Sequence, residues 1–172
     1  MIQDPLQRPV VKLRGGKTRR LLMGAPWAYA DEIAMDRRTK GLAAGSLVRL
    51  VAEGQDLGLA AFNPDSQISA RVLGCPAEAV VDADWFAARL RHAMALREAL
   101  YDTPFYRLVH AEGDGLPGLV IDRFGEALVL QPNAAWVEHR LDALIDAAAK
   151  VTGCITLHIN ASSRIRGLEG LE

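Results

Sequence analysis

The sequence predicts an α+β chain in three parts: a small N-terminal β-barrel, a connecting helix, and a strand–helix–strand module. Three observations carry this expectation. The first 80 residues fall into short apolar stretches punctuated by turn residues at intervals of about ten. Composition then changes abruptly, at residues 84–101, to Ala, Leu and Arg with apolar residues at helical spacing. Beyond residue 104, strand-like runs bracket a single helical run.

The elements follow in order. Val10-Val11-Lys12-Leu13 predicts a short extended stretch, and Arg14-Gly15-Gly16-Lys17 a turn. Residues 17–23 suit a short basic helix. Ser46–Val51 has strand composition, Glu53-Gly54-Gln55 suits a hairpin turn, and Leu57–Phe62 runs back. After the turn Asn63-Pro64-Asp65-Ser66, residues Gln67–Leu73 alternate as a half-buried strand does. Phe86, Leu90, Ala93, Leu96 and Leu100 predict one helix face, with Asp84 as its N-cap and Asp102-Thr103-Pro104 as its end. Phe105–His110 predicts a strand, followed by the turn-rich Gly113–Gly118 and a strand at Leu119-Val120-Ile121. Asp122-Arg123-Phe124-Gly125 predicts a tight return into Ala127–Gln131. Asn133 is placed to cap a helix over 135–150, with Val137, Leu141, Leu144, Ile145 and Ala148 on one face and Gly153 at its end. Cys154–Ile159 is the next predicted strand.

Bulk properties narrow the function classes. The chain has 172 residues, half of them hydrophobic, which suffices for one sizeable core or two small ones. No apolar run of about 18 residues is present, so a membrane span is not expected. The start, Met1-Ile2-Gln3-Asp4-Pro5, lacks the basic-then-apolar order of a secretory signal. Cys75 and Cys154 stand alone, as suits a reducing compartment, and no CxxC pair suggests zinc. The expectation is a cytoplasmic protein without a bound metal. The net charge of -1 conceals an asymmetry: residues 1–40 hold nine Lys/Arg against four Asp/Glu, and the remainder eleven against seventeen. Lys12, Arg14, Lys17, Arg19, Arg20, Arg37, Arg38 and Lys40 form the one concentration of positive charge, which would attract a polyanion such as nucleic acid. The alternative is a solvated basic loop.

Chemical motifs are sparse. Gly113-Asp114-Gly115-Leu116-Pro117-Gly118 satisfies the dinucleotide pattern GxGxxG in form, but that pattern requires a helix N-terminus after the glycines. Here Leu119-Val120-Ile121 follows, so a wide turn is expected. His92, His110, His139 and His158 are scattered on predicted helices and strand ends. Glu112, Asp114 and Asp122 could gather around one turn as acid–base groups, or could be solvated turn carboxylates. Trp27, between Pro26 and Tyr29 and flanked by basic clusters, could stack on an unpaired base or anchor a small barrel; the second is favoured.

Three blocks together carry a family resemblance. Leu13-Arg14-Gly15-Gly16-Lys17, with Ala25-Pro26-Trp27 and the stretch Phe62–Val72, resembles the N-terminal PUA domain of large-subunit ribosomal RNA cytosine-C5 methyltransferases of the RlmI type. Tyr106-Arg107-Leu108-Val109, the block Glu112–Leu119, Asp122-Arg123-Phe124-Gly125 and Leu128–Gln131 resemble the central module of the same family. The Gly-Asp-Gly-Leu-Pro-Gly block is the most specific piece. A departure is Ala25, where the family usually has a histidine or another polar residue before Pro-Trp.

The resemblance implies a PUA-like RNA-binding domain over 8–80, a connector helix over 81–103, and a central α+β module over 104–172. It also implies a Rossmann-like domain that binds S-adenosylmethionine and supplies a cysteine nucleophile, whose thiolate adds to cytosine C6 so that C5 can attack the methyl group. No matching catalytic or cofactor-binding position is found in these 172 residues, which run out at Gly167–Glu172 about where the central module should add its last strand. The segment alone is therefore expected to be inactive, to bind no cofactor, and to dock ribosomal RNA. Contacts are expected from Lys12, Arg14, Lys17, Arg19, Arg20, Arg37, Arg38 and Arg71. Two alternatives stand beside this: an assembly module forming a homodimer, and a small enzyme using Glu112, Asp114 and Asp122.

Overall fold

The computed structural model describes residues 7–171; the N-terminal Met1–Pro5 considered above as a leader, and the final Glu172, lie outside them. The chain divides into two compact units, the first ending at Val80 and the second beginning at Val81. The fold is mixed α+β, with a sheet in the first unit that curls into a half-barrel. Among the described residues no helix is long and apolar enough to cross a membrane.

The first unit is built on five strands: β1 (Val10–Lys12), β2 (Trp27–Ala28), β3 (Ser46–Ala52), β4 (Gln55–Phe62) and β5 (Ala70–Val72), in the order β1-β3-β4-β5-β2. β3 and β4 form a hairpin whose two turn residues, Glu53 and Gly54, both have positive φ (50° and 81°). A two-residue turn of that handedness matches the twist of the flanking strands. β1 runs parallel to β3, with Val11 opposite Leu50. Alternation along β1 sends Val11 inward and leaves Val10 and Lys12 outside. Val11, Leu13, Leu21, Ile33, Val48, Leu50 and Phe62 form the core with smaller alanines between them. The strand expected over 67–73 is shorter. Residues 63–69 instead close a loop, in which Asn63 N donates to Ser69 O (2.8 Å) and Ser69 Oγ to Ser66 O (2.8 Å). Gln67 gives its carbonyl to Ala30 N. These bonds satisfy the polar groups locally, so the ladder begins only at Ala70.

Two short helices complete this unit: α1 (Arg19–Leu22) and α2 (Arg37–Lys40). Thr18, buried before α1, donates its hydroxyl to Glu53 in the β3–β4 turn (2.7 Å). Asp36 caps α2 by accepting from Thr39 N (2.7 Å).

In the second unit the sheet order is β6 (Phe105–His110), β7 (Leu119–Phe124), β8 (Ala127–Pro132), β9 (Thr156–Ile159). The first three strands are antiparallel, and β9 joins β8 in parallel after a helical crossover. The crossover, expected as one helix, is two: α4 (Ala135–Glu138) and α5 (Leu141–Thr152). Arg140 leaves the helical region (φ −128°, ψ 23°) and breaks the run. Asn133 does not cap it either. It is buried at the end of β8, its N–H bonded to Gly118 O (2.9 Å), and Ala134 takes the cap position.

The long helix α3 (Ala83–Leu100), expected as a connector, packs on α5 within the second unit. Its N-cap is Asp82, which accepts from Trp85 N (2.9 Å), and not Asp84. Phe86, Ala87, Leu90 and Ala93 are buried, and Phe86 stacks on Trp136 of α4 at 6.0 Å. Leu96 and Leu100, placed on the same face by spacing, are exposed near the helix end. The Gly113–Gly118 run forms a 3-10 turn and loop leading into β7. Gly118 (φ 76°) needs no ligand to explain it: a Cβ there would lie 2.5 Å from the Ala134 Cβ.

Candidate nucleic-acid interface

The basic segment is displayed by the strand and turn pattern of the first unit. Along β1 and the two residues after it, the inward Val11 and Leu13 leave Lys12 and Arg14 on the outside. Arg14 Nε donates to Ile33 O (2.9 Å), which holds the side chain against the segment after β2. In the single turn of α1 only Leu21 points inward, so Arg19 and Arg20 face solvent. In α2 the buried Thr39 plays the same part and leaves Arg37, Arg38 and Lys40 outside.

Two depressions collect these cations. An open groove of about 890 Å³ is lined by Lys17, Arg19 and Arg20, with Met23, Tyr29, Asp31 and Glu32. A smaller one of about 410 Å³ is lined by Lys12, Arg14 and Arg38, with Met35 and Asp36. They flank the Arg14–Lys17 turn. Arg37 is exposed on α2 beside the second.

The two differ in how their charge is compensated. In the groove, Lys17 is paired with Asp31 and Arg20 with Glu32 (2.9 Å). Arg20 also donates to Trp27 O (3.0 Å), and its guanidinium lies 5.0 Å over the Tyr29 ring. The hydrogen bond that Arg20 donates to Glu32 pushes the Arg20 pKa above its ordinary value. The Lys17 ammonium likewise holds the Asp31 carboxyl below the usual carboxylate range. In the smaller depression the one carboxylate, Asp36, accepts from the Thr39 backbone N–H, which lowers its pKa.

Arg71 departs from the expected set. It is only 8% exposed, on β5 opposite Trp27 and Ala61, so it is not among the surface cations. Trp27 is half-buried and meets Tyr29 edge-on at 6.5 Å. Tyr29, 38% exposed, is the aromatic that lines the groove. Sequence reasoning passed over Tyr29, Met23, Asp31 and Glu32. The signal for the last two was present, as two adjacent acids in an otherwise basic segment.

Of the three carboxylates weighed as a catalytic group, Asp114 and Asp122 serve separate ion pairs. Asp114, 5% exposed, takes two hydrogen bonds from Arg97 (2.8 and 2.7 Å) and one from His110 N (2.6 Å). Asp122 takes two from Arg107 (2.8 and 3.2 Å), whose pKa is raised by that bonding. The expected solvated turn is, for Asp114, a buried charge pair. Cys154 is buried and Cys75 half-buried.

Residues 11–74 match the family model of a PUA-like domain. Along the chain, similarity runs to proteins called ribosomal RNA large subunit methyltransferase I. That of Erwinia tasmaniensis is 38% identical over 165 residues, covering 93% of this chain and 41% of the relative. That of Shewanella denitrificans is 36% identical over 148 residues, covering 84% and 37%. The chain thus spans about two fifths of the length of the curated relatives it matches. Among solved structures, a protein from Streptococcus mutans described as a SAM-dependent methyltransferase superposes with a TM-score of 0.72 at 16% identity. The superposition covers 88% of this chain and 40% of that one. A methyltransferase solved with SAH superposes with a TM-score of 0.70, also at 16% identity. At such identity the likeness is one of fold.

Proposed function

Since this chain combines a PUA-like domain with homology to ribosomal RNA large subunit methyltransferases I, we propose that it is the RNA-docking portion of an enzyme of that kind. The observation that carries the proposal is the gathering of exposed cations around the two depressions of the PUA-like unit. Phosphate contacts of this kind fix an enzyme's place on RNA without reading sequence. Lys12, Arg14, Lys17, Arg19, Arg20, Arg37 and Arg38 are the proposed contacts; Arg71, being buried, is left out. The second unit, a sheet-and-helix module, would link this anchor to the part of the protein that handles the reacting base.

Methyl transfer itself is assigned to parts of the protein beyond these residues, with S-adenosylmethionine as the methyl donor. The relatives are more than twice as long as the segment they share with this chain, which supports that division. The glycine run offers no cradle for such a cofactor, because a strand follows it and Gly118 packs on Ala134. The homodimer alternative draws no support from these relatives.

The test is binding of a structured ribosomal RNA fragment by the chain and by a variant with Arg14, Lys17, Arg19 and Arg20 all changed to alanine. The variant is expected to lose at least about tenfold in affinity at moderate salt. Unchanged affinity would contradict the assignment of RNA docking to this surface.

A further inference from the structure

The two depressions carry similar numbers of cations but different amounts of available charge. In the groove, Lys17 and Arg20 are bonded to Asp31 and Glu32, which leaves Arg19 as the one lining cation without an acidic partner among the described residues. A phosphate seated there would have to displace a carboxylate and then lie beside it, at a cost from like-charge repulsion. Around Lys12, Arg14 and Arg38 the one lining carboxylate among the described residues is Asp36, which accepts from the α2 backbone and lies in the field of Arg38 but forms no salt bridge. Arg14 spends only its Nε on the Ile33 carbonyl, and its two terminal nitrogens make no hydrogen bond among the described residues. Most of the uncompensated phosphate-binding capacity lies on this side, with Arg19 adding to it from the groove.

What the groove offers instead is apolar surface at a charged rim. Tyr29 stands 38% exposed in it, its ring steadied by the Arg20 guanidinium and by the edge contact with Trp27. Its backbone N–H is held by Glu32 (2.8 Å), so the residue is fixed before any ligand arrives. Met23, 77% exposed on the same groove, is a flexible, polarizable wall of the kind that packs against aromatic rings. An aromatic flanked by cations is how unpaired bases are held: the ring takes the base and neighbouring charges take the backbone. A base inside a duplex cannot reach such a groove.

We propose that the groove between Met23 and Tyr29 takes an unpaired nucleobase while phosphates of the same strand lie over Lys12, Arg14 and Arg38. The ligand class is therefore single-stranded RNA, such as a loop or bulge. This rests on the RNA-docking proposal and specifies it.

The test compares a dye-labelled single-stranded RNA oligonucleotide with a blunt RNA duplex of the same sequence, by fluorescence anisotropy across a salt series. The single strand is expected to bind about tenfold more tightly. Tyr29→Leu and, separately, the exposed Met23→Ala weaken the single strand, leave the duplex unaffected and do not change the salt slope. Tyr29→Phe keeps the affinity. Lys12→Ala lowers the salt slope by about one for either RNA. Equal binding of both RNAs with a steep salt slope would overturn the base pocket and leave RNA docking intact. Tyr29→Leu and Met23→Ala both binding the single strand like the parent would do the same. No binding of either RNA at low salt would overturn both proposals.

Discussion

Arg97 and Asp114 show how one residue's role depends on a partner far from it in sequence. The carboxylate is 5% exposed and takes two bonds from the guanidinium, and Arg97 adds a third bond to Arg107 O (3.1 Å). A buried charge is tolerated only when paired, so Arg97→Met should cost about 3 kcal/mol of stability in a denaturant melt. A loss within about 0.5 kcal/mol would mean that the pair behaves as a surface one. Nothing local to Gly113–Gly118 announces this pairing, and the sequence alone suggested a solvated turn. Arg71 is the converse: it belongs to a recognisable block, yet burial removes it from the surface. Tyr29 was passed over because its exposure is set by the edge contact with Trp27 and the pairing of β2 with β5.

At the scale of elements, periodicity was legible and boundaries were less so. Turn residues and alternation mark most of the strands, though neither β2 nor the non-sequential order of the first sheet, whereas caps depend on which of two nearby carboxylates reaches a backbone N–H. Asp82 does so at α3, and Asp84 lies within the helix, weakly paired with Lys150 (3.6 Å). Asp82→Ala should therefore cost about 1 kcal/mol, and Asp84→Ala less than about 0.5 kcal/mol; thermal melts of the two variants check the ranking. The break between α4 and α5 was hidden because their apolar residues keep helical spacing across it. In the first unit, Asp31 and Asp36 have pKa values held down by Lys17 and by the Thr39 N–H. Carboxyls depressed in the folded state lend stability that is present above the ordinary carboxylate pKa and is lost as pH falls through the folded values. Melting temperature should fall on acidification below about pH 4. Asp36→Asn, which keeps a capping oxygen but does not titrate, should lessen that fall; an unchanged acid profile would show that ionisation of Asp36 contributes nothing to it.

For the whole molecule, the sequence displayed the essential asymmetry: positive charge concentrated in the first 40 residues of a chain whose remainder is acidic. It could not display how folding divides that charge between a compensated groove and an open cationic depression, because the pairs join residues 12 to 14 positions apart. The α+β class and the PUA-like likeness were likewise readable from composition and from short blocks that turn geometry keeps together. Affinity for a polyanion through several freed cations has a distinctive dependence on salt. The most direct measurement is therefore the affinity of this chain for a ribosomal RNA fragment over a range of salt concentrations. A log–log slope corresponding to about two to three displaced counterions is the predicted result. No measurable binding at the lowest salt, or binding indifferent to salt, would contradict the account.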